Sequence, residues 1–132
     1  MNVLVVYDSM TGNVKRFISK LRCPSIQISD TLQVNQPYIL VTYTIGFGQV
    51  PSSTKEFLNR NSLFLFGVAS SGNKNWGDNY AKAASVISNQ FNVPIVHTFE
   101  LSGTVEDVKI FKEEVEKICQ KYQNGLNTII KS

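Results

Sequence analysis

Short runs of β-branched and aromatic residues alternate with longer amphipathic segments along the whole chain, a rhythm that reads as α/β. The runs cover residues 3–7, 26–28, 38–43, 63–69 and 95–99. The first, third and fourth are nearly continuous in hydrophobicity, as strands buried on both faces of a parallel sheet must be. Between them the spacing predicts helices over 13–21, 53–59, 78–89 and 105–122. In the last, Val108, Phe111, Val115, Ile118 and Tyr122 recur every three or four residues and form one apolar stripe, while Glu106, Lys109, Glu113, Glu116 and Lys117 fall on the wet side. Ser53 and Thr104 suit N-caps, and Pro51 and Pro94 stand where they interrupt no helix. Gly125 breaks the pattern, so the tail from Asn124 onward is expected to fray.

With 132 residues, 42% of them apolar, the chain suits one domain over 1–132 that buries a three-layer core without metal or disulfide. The net charge of +3 is mild and the basic residues are scattered, which argues against nucleic acid. No run approaches the ~20 apolar residues of a membrane span, and residues 2–7 are too short for a signal sequence. Cys23 and Cys119 lie far apart in sequence and offer neither a zinc spacing nor a C-x-x-C dithiol, so redox chemistry would have to come from a cofactor. Two free, structural thiols fit a cytoplasmic protein, and nothing demands more than a monomer.

In a doubly wound parallel sheet, ligands bind at the carboxyl ends of the strands where the strand order reverses, which directs attention to three loops. The first reads Asp8-Ser9-Met10-Thr11-Gly12-Asn13-Val14 and runs directly into a helix. Backbone N–H groups and the helix dipole there could hold a phosphate monoester, with Ser9 and Thr11 donating O–H bonds and Gly12 allowing close approach; no arginine is required. An ordinary capped turn accounts for the same residues, and no Walker sequence is present. The second, Thr44-Ile45-Gly46-Phe47-Gly48, is a Gly-x-Gly turn whose backbone could approach a flat ligand, or simply a turn; Pro51 stands where a dinucleotide fingerprint needs its third glycine. The third runs from Ser70, Ser71, Gly72 and Asn73 through Lys74 and Asn75 to Trp76, Gly77, Asp78, Asn79 and Tyr80. Trp76 and Tyr80 could border an aromatic ring while Asn73 and Asn79 address its polar edge, or Trp76 could fold back over the core.

Together the loops resemble the FMN site of flavodoxins, in which a hydroxyl-rich loop holds the phosphate and two later loops sandwich the isoalloxazine. The blocks starting at Ser9, Val41, Phe47, Ala69 and Phe99, among them Asn-Trp-Gly-Asp at 75–78 and Glu-Leu-Ser-Gly-Thr at 100–104, resemble more closely the ribonucleotide reductase stimulatory flavodoxins, the NrdI family. Val14 stands where ordinary flavodoxins usually carry a hydroxyl residue.

That resemblance implies a flavodoxin-like three-layer sandwich with a five-stranded parallel sheet of order 2-1-3-4-5 and FMN as cofactor. The binding residues it implies are Ser9, Met10, Thr11, Gly12, Asn13, Val14, Thr44, Ile45, Gly46, Phe47, Gly48, Ser70, Ser71, Gly72, Asn73, Trp76, Gly77, Asn79 and Tyr80. It further implies an electron donor for the flavin, molecular oxygen as acceptor, and the dimanganese small subunit of a class Ib ribonucleotide reductase as recipient of the superoxide or peroxide produced. No side chain is expected to act as acid, base or nucleophile.

Only Asp8 and Asp78 are acidic in the three loops, and Lys74 opposes them. A unit charge at ~4 Å is worth ~4 kcal/mol at an effective dielectric near 20, so this balance leaves the fully reduced flavin accessible and the two one-electron potentials close together. The glycines at 46 and 48 are expected to let the loop backbone answer the flavin's redox state. A general electron-transfer flavodoxin, the nearest rival, would carry a strongly acidic docking surface, whereas this chain has 13 basic and 10 acidic side chains. The chain lacks the acidic pair and lysine of a receiver domain and the cysteine loop of a phosphatase. His97 is expected to be a packed or edge histidine.

Overall fold

A computed structural model describes residues 3–131, with side-chain surroundings for 3–125. The strands β1 (Leu4–Tyr7), β2 (Ser25–Gln27), β3 (Tyr38–Tyr43), β4 (Leu65–Gly72) and β5 (Ile95–Glu100) form one parallel sheet in the order β2-β1-β3-β4-β5. The helices are α1 (Asn13–Leu21), α2 (Ser52–Asn61), α3 (Ala83–Phe91) and α4 (Val105–Lys131). Val6 pairs with Ile26 on one side and Leu40 on the other, which places β1 inside the sheet and makes the gap between β1 and β3 the point where strand order reverses.

Successive residues of a strand face opposite layers, and here both layers are dry. Val5, Ile39, Val41, Ala69 and Phe99 pack with Val14, Phe17 and Leu21 of α1 and Phe111 and Val115 of α4. Val6, Leu40, Leu65 and Val68 pack with Phe57 and Leu58 of α2 and Ala83, Ala84 and Ile87 of α3. Phe17 centres the first layer, stacked on Phe99 at 4.0 Å and edge-on to Phe111 at 5.4 Å. In the second, Tyr38 donates its hydroxyl to Asn61 O at 2.6 Å, and Asn61 Oδ1 accepts from Val34 N at 2.9 Å, so one buried amide organises the helix-free link between β2 and β3.

Four expectations need correction. The third helix starts at Ala83, not residue 78, because residues 74–79 form a 3-10 segment kinked at Gly77 and Ala81 adopts a left-handed φ of 50°. Ser53 is not the N-cap of α2: the helix starts at Ser52 with Pro51 in the cap position, and the Ser53 hydroxyl bonds Asp8 instead. The fourth strand starts at Leu65, after a 3-10 turn over Ser62–Phe64. Gly125 does not end α4, which runs on to Lys131; an exposed glycine costs a helix ~1 kcal/mol, too little to stop one anchored by Phe111 and Val115. The last residue of the expected frayed tail, Ser132, lies outside the described residues. Among the described residues no helix is long and apolar enough to cross a membrane.

Candidate functional site

A half-open cleft of about 210 Å³ lies at the carboxyl ends of β1, β3 and β4. Its walls take Ser9, Met10, Thr11, Asn13 and Val14 from the first loop, Tyr43 and Thr44 from the end of β3, Ser71, Gly72, Asn73 and Trp76 from the third loop, and Leu101 from the turn after β5.

The first loop closes on itself through Ser9, whose Oγ accepts from Lys15 N at 3.3 Å. Gly12, at φ 91°, occupies the cap position of α1 without a side-chain cap. Of the first-turn amides of α1, that of Lys15 is taken up by Ser9, while Asn13 and Val14, whose amides have no intrahelical partner, line the same cleft end as Ser9 and Thr11. Such a first turn suits an anion. Beside it the Arg16 guanidinium donates to Asn13 Oδ1 at 2.6 Å and Ser102 Oγ at 3.0 Å, and Ser102 donates to the same Asn13 oxygen at 2.9 Å.

Asp8, the acid of this loop, is turned out of the cleft. It is buried, and its Oδ2 accepts from Ser53 Oγ at 2.5 Å and Thr54 Oγ1 at 2.7 Å at the start of α2. Burial first, and then the Asp8 charge, push the Tyr43 hydroxyl above its ordinary value, so Tyr43 presents a neutral ring to the cleft.

The opposite end is apolar and open. Trp76, Met10 and Leu101 are each more than two-fifths exposed around it, so the rim keeps large hydrophobic side chains in water. The third loop is held by close contacts. Gly72 passes Ala81 so closely that a Cβ at 72 would lie 2.4 Å from Ala81 N. Leu101 N donates to Gly72 O at 3.0 Å, and Ser71 Oγ donates to Leu101 O at 2.6 Å. Lys74 N donates to Glu100 Oε2 at 3.1 Å, which adds a carboxylate beside this loop.

Several expected site residues do not line the cleft. Ser70 is fully buried, donating to Ala81 O and accepting from Ala84 N. Ile45, Gly46, Phe47 and Gly48 form a tight turn closed by Gln49 N to Ile45 O at 2.8 Å, with Gly46 and Gly48 at positive φ and Phe47 86% exposed. That turn packs on the third loop, since a Cβ at Gly48 would lie 2.8 Å from Lys82 and 3.3 Å from Asn79. Gly77 supplies the kink, and Tyr80 sits under Lys74, whose Nζ is 6.0 Å from its ring centre.

Residues not expected at the site are Tyr43, Leu101, Arg16, Ser102 and Glu100. Tyr43 could have been read from its place at the carboxyl end of a central strand; Leu101 and Ser102 enter through the turn after β5, Arg16 from α1 by bonding Ser102, and Glu100 from the end of β5 by accepting from Lys74, and no local pattern announces these approaches. His97 has a partner ten residues on: Nε2 lies 2.8 Å from Asp107 Oδ1. Among the described residues no group of His, Cys, Asp and Glu could hold a metal ion.

Known proteins fit this architecture. The family model described as NrdI flavodoxin-like matches residues 5–113. Protein NrdI of Bacillus licheniformis is 48% identical over 120 residues, which span 90% of this chain and 92% of the relative. Protein NrdI of Macrococcus caseolyticus is 49% identical over 119 residues, 89% and 92% of the two chains. Among solved structures, a short-chain flavodoxin associated with a non-canonical PDU bacterial microcompartment superposes with a TM-score of 0.70 at 18% identity, covering 90% of this chain and 97% of its own. A Fusobacterium nucleatum flavodoxin bound to flavin mononucleotide gives 0.60 at 11% identity, covering 90% and 97%. These two likenesses speak for the fold, and the match over residues 5–113 together with relatives near half identity speaks for more: the chain belongs to the NrdI flavodoxin-like family.

Proposed function

We propose that the cleft holds FMN and that the protein, recharged by an electron donor in the cytoplasm, serves a class Ib ribonucleotide reductase. The observation that carries the FMN reading is the pairing of two chemically different ends in one cleft. The Asn13 and Val14 amides, the Ser9 and Thr11 hydroxyls and the Arg16 guanidinium suit a phosphate dianion, while Tyr43, Trp76, Met10 and Leu101 suit the faces and edge of a flat ring. The ribityl chain would pass Asn13, Thr44 and Ser71 between them. The half-open shape would leave part of a bound ring open to a small oxidant or an electron donor.

When bound and reduced, FMN supplies electrons to dioxygen, and the superoxide or peroxide formed is the oxidant for the dimanganese site of the reductase small subunit. The chain's own residues bind, orient and expose the cofactor. No acid or base is asked of them: Asp8 is bonded to Ser53 and Thr54, and His97 lies against Asp107. With relatives named NrdI at nearly half identity, the reductase-linked reading is supported over a general electron carrier, and the basic excess of 13 side chains over 10 points the same way.

The test has two stages. The purified protein should be yellow with FMN, and after anaerobic reduction it should generate a tyrosyl radical, read by electron paramagnetic resonance, in a manganese-loaded class Ib small subunit once oxygen is admitted. Yellow protein that yields no radical, yet passes electrons to unrelated acceptors, would favour the general carrier. A colourless protein that cannot be loaded with FMN would overturn both.

A further inference from the structure

We infer that Arg16 is the counter-charge for the phosphate group in the first loop, and so the residue that makes this site prefer a phosphorylated flavin to an unphosphorylated one. The inference rests on the FMN reading and deepens it. Arg16 begins the second turn of α1, and its backbone N–H donates to Gly12 O at 2.9 Å. Its side chain then folds back along the helix toward the cap, so that Nη1 lies only 2.9 Å from where a Cβ on Gly12 would stand. Glycine at 12 answers the φ of 91°, and its bare Cα leaves the guanidinium room to lie there.

Two neutral oxygens hold the guanidinium in that posture, Asn13 Oδ1 and Ser102 Oγ, and Ser102 braces Asn13 in turn. Among the described residues no carboxylate pairs with Arg16. An arginine that only stapled α1 to the turn after β5 would gain more from an acidic partner; Lys20 already makes that staple, donating to Ser102 O at 3.2 Å and Gly103 O at 3.0 Å. Arg16 instead keeps its charge unneutralised beside the amides and hydroxyls that suit an anion, and its planar fork is pre-oriented, with less rotamer freedom left to lose when the anion arrives. The one acid of the loop, Asp8, is bonded to α2 and does not compete for it. Riboflavin, which lacks the phosphate, would fill the ring end of the cleft without meeting Arg16 at all.

The test compares FMN with riboflavin on the full-length protein stripped of flavin, as wild type, R16Q and R16K, with folding of each checked by circular dichroism. In R16Q the Kd for FMN should rise about tenfold, equivalent to ~1.4 kcal/mol, while the Kd for riboflavin stays within about twofold. FMN binding to R16Q should also lose part of its dependence on salt. R16K keeps the charge without the fork and should recover most of the FMN preference. If both flavins weaken by the same factor in R16Q, or R16K behaves as R16Q does, Arg16 is a staple and the inference fails while the FMN reading stands. If wild type binds neither flavin, the FMN reading itself fails and this inference with it.

Discussion

The Asp8 carboxylate accepts a 2.7 Å hydrogen bond from Thr54 Oγ1, joining the end of β1 to the first turn of α2 beneath the cleft. Thr54 is fully buried and its hydroxyl also meets Thr42 Oγ1 at 2.8 Å, so the carboxylate belongs to a chain of hydroxyls crossing from β1 through α2 to β3. Replacing Asp8 with alanine strands the Ser53 and Thr54 donors and removes a negative charge from a helix N-terminus. The expected loss is about 2 kcal/mol, seen as a lower urea midpoint with an unchanged slope. D8N, whose amide oxygen can still accept, should lose about half as much. Equal losses in the two variants would show that charge, not hydrogen bonding, dominates.

Among the glycines of the site, Gly72 makes the closest backbone approach, against Ala81. A methyl group at 72 would lie 2.4 Å from Ala81 N and 2.9 Å from Ala81 Cα, and both are main-chain atoms that cannot step aside as a side-chain end could. G72A should therefore push the third loop off β4, costing about 3 kcal/mol and weakening flavin binding more than G77A does, since a Cβ at Gly77 meets nothing within 4 Å. Gly77 has a φ of 56°, so its own variant still carries some backbone strain. Paired thermal melts and flavin titrations of the two variants separate contact from strain.

These contacts mark where the sequence stops being legible. Val5, Ile39, Val41 and Val68 announce central strands because each strand is dry on both sides, and the stripe from Val108 to Val115 announces its helix because one side is wet. Residues 78–82 carry nothing that forbids a helix, yet the passage of Gly72 against Ala81 decides their path, and that is a contact between segments. Gly125 misleads in the opposite sense, because local propensity there is weaker than the helix already formed before it. At the site, Ser9, Thr11, Asn13 and Trp76 are visible as polar or aromatic residues in loops at strand ends. Leu101, Ser102 and Arg16 are not, because only the fold brings the turn after β5 against the first loop.

The start of α4 should respond to acid. Thr104 and Asp107 form a reciprocal cap, with Asp107 N donating to Thr104 Oγ1 at 3.1 Å and Thr104 N donating to Asp107 Oδ2 at 2.8 Å. Burial tends to raise the Asp107 carboxyl, but the bonds from His97 and from the Thr104 amide and hydroxyl outweigh it and hold the group below its ordinary 3.8. A folded-state value below the unfolded one means that the carboxylate's stabilisation is fully present above pH 3.8 and is lost as the pH falls through the lower folded value. Wild type should therefore exceed D107N in urea midpoint at about pH 5, and the difference should shrink toward about pH 2. A difference that persists undiminished into that acid range would place the effect of the substitution in packing.

Trp76, the only tryptophan, reports on the ring end of the cleft without any label. It is 42% exposed, and its backbone N–H donates to Asn73 O at 3.0 Å, so this turn is pinned while the indole keeps an exposed face. A flavin ring against that face absorbs where the indole emits, so adding FMN to stripped protein should extinguish most of the tryptophan fluorescence, and riboflavin should do the same at higher concentration. Because an aromatic contact is worth about 0.5–1.5 kcal/mol beyond its burial, W76L should weaken both flavins by about two- to tenfold. That common factor is the complement of the one expected at Arg16, where only the phosphorylated flavin suffers. If W76L instead weakened FMN alone, the indole would lie at the phosphate end and the orientation assigned to the cofactor would have to be reversed; if fluorescence survived FMN saturation, the ring would lie away from Trp76, against the turn carrying Phe47.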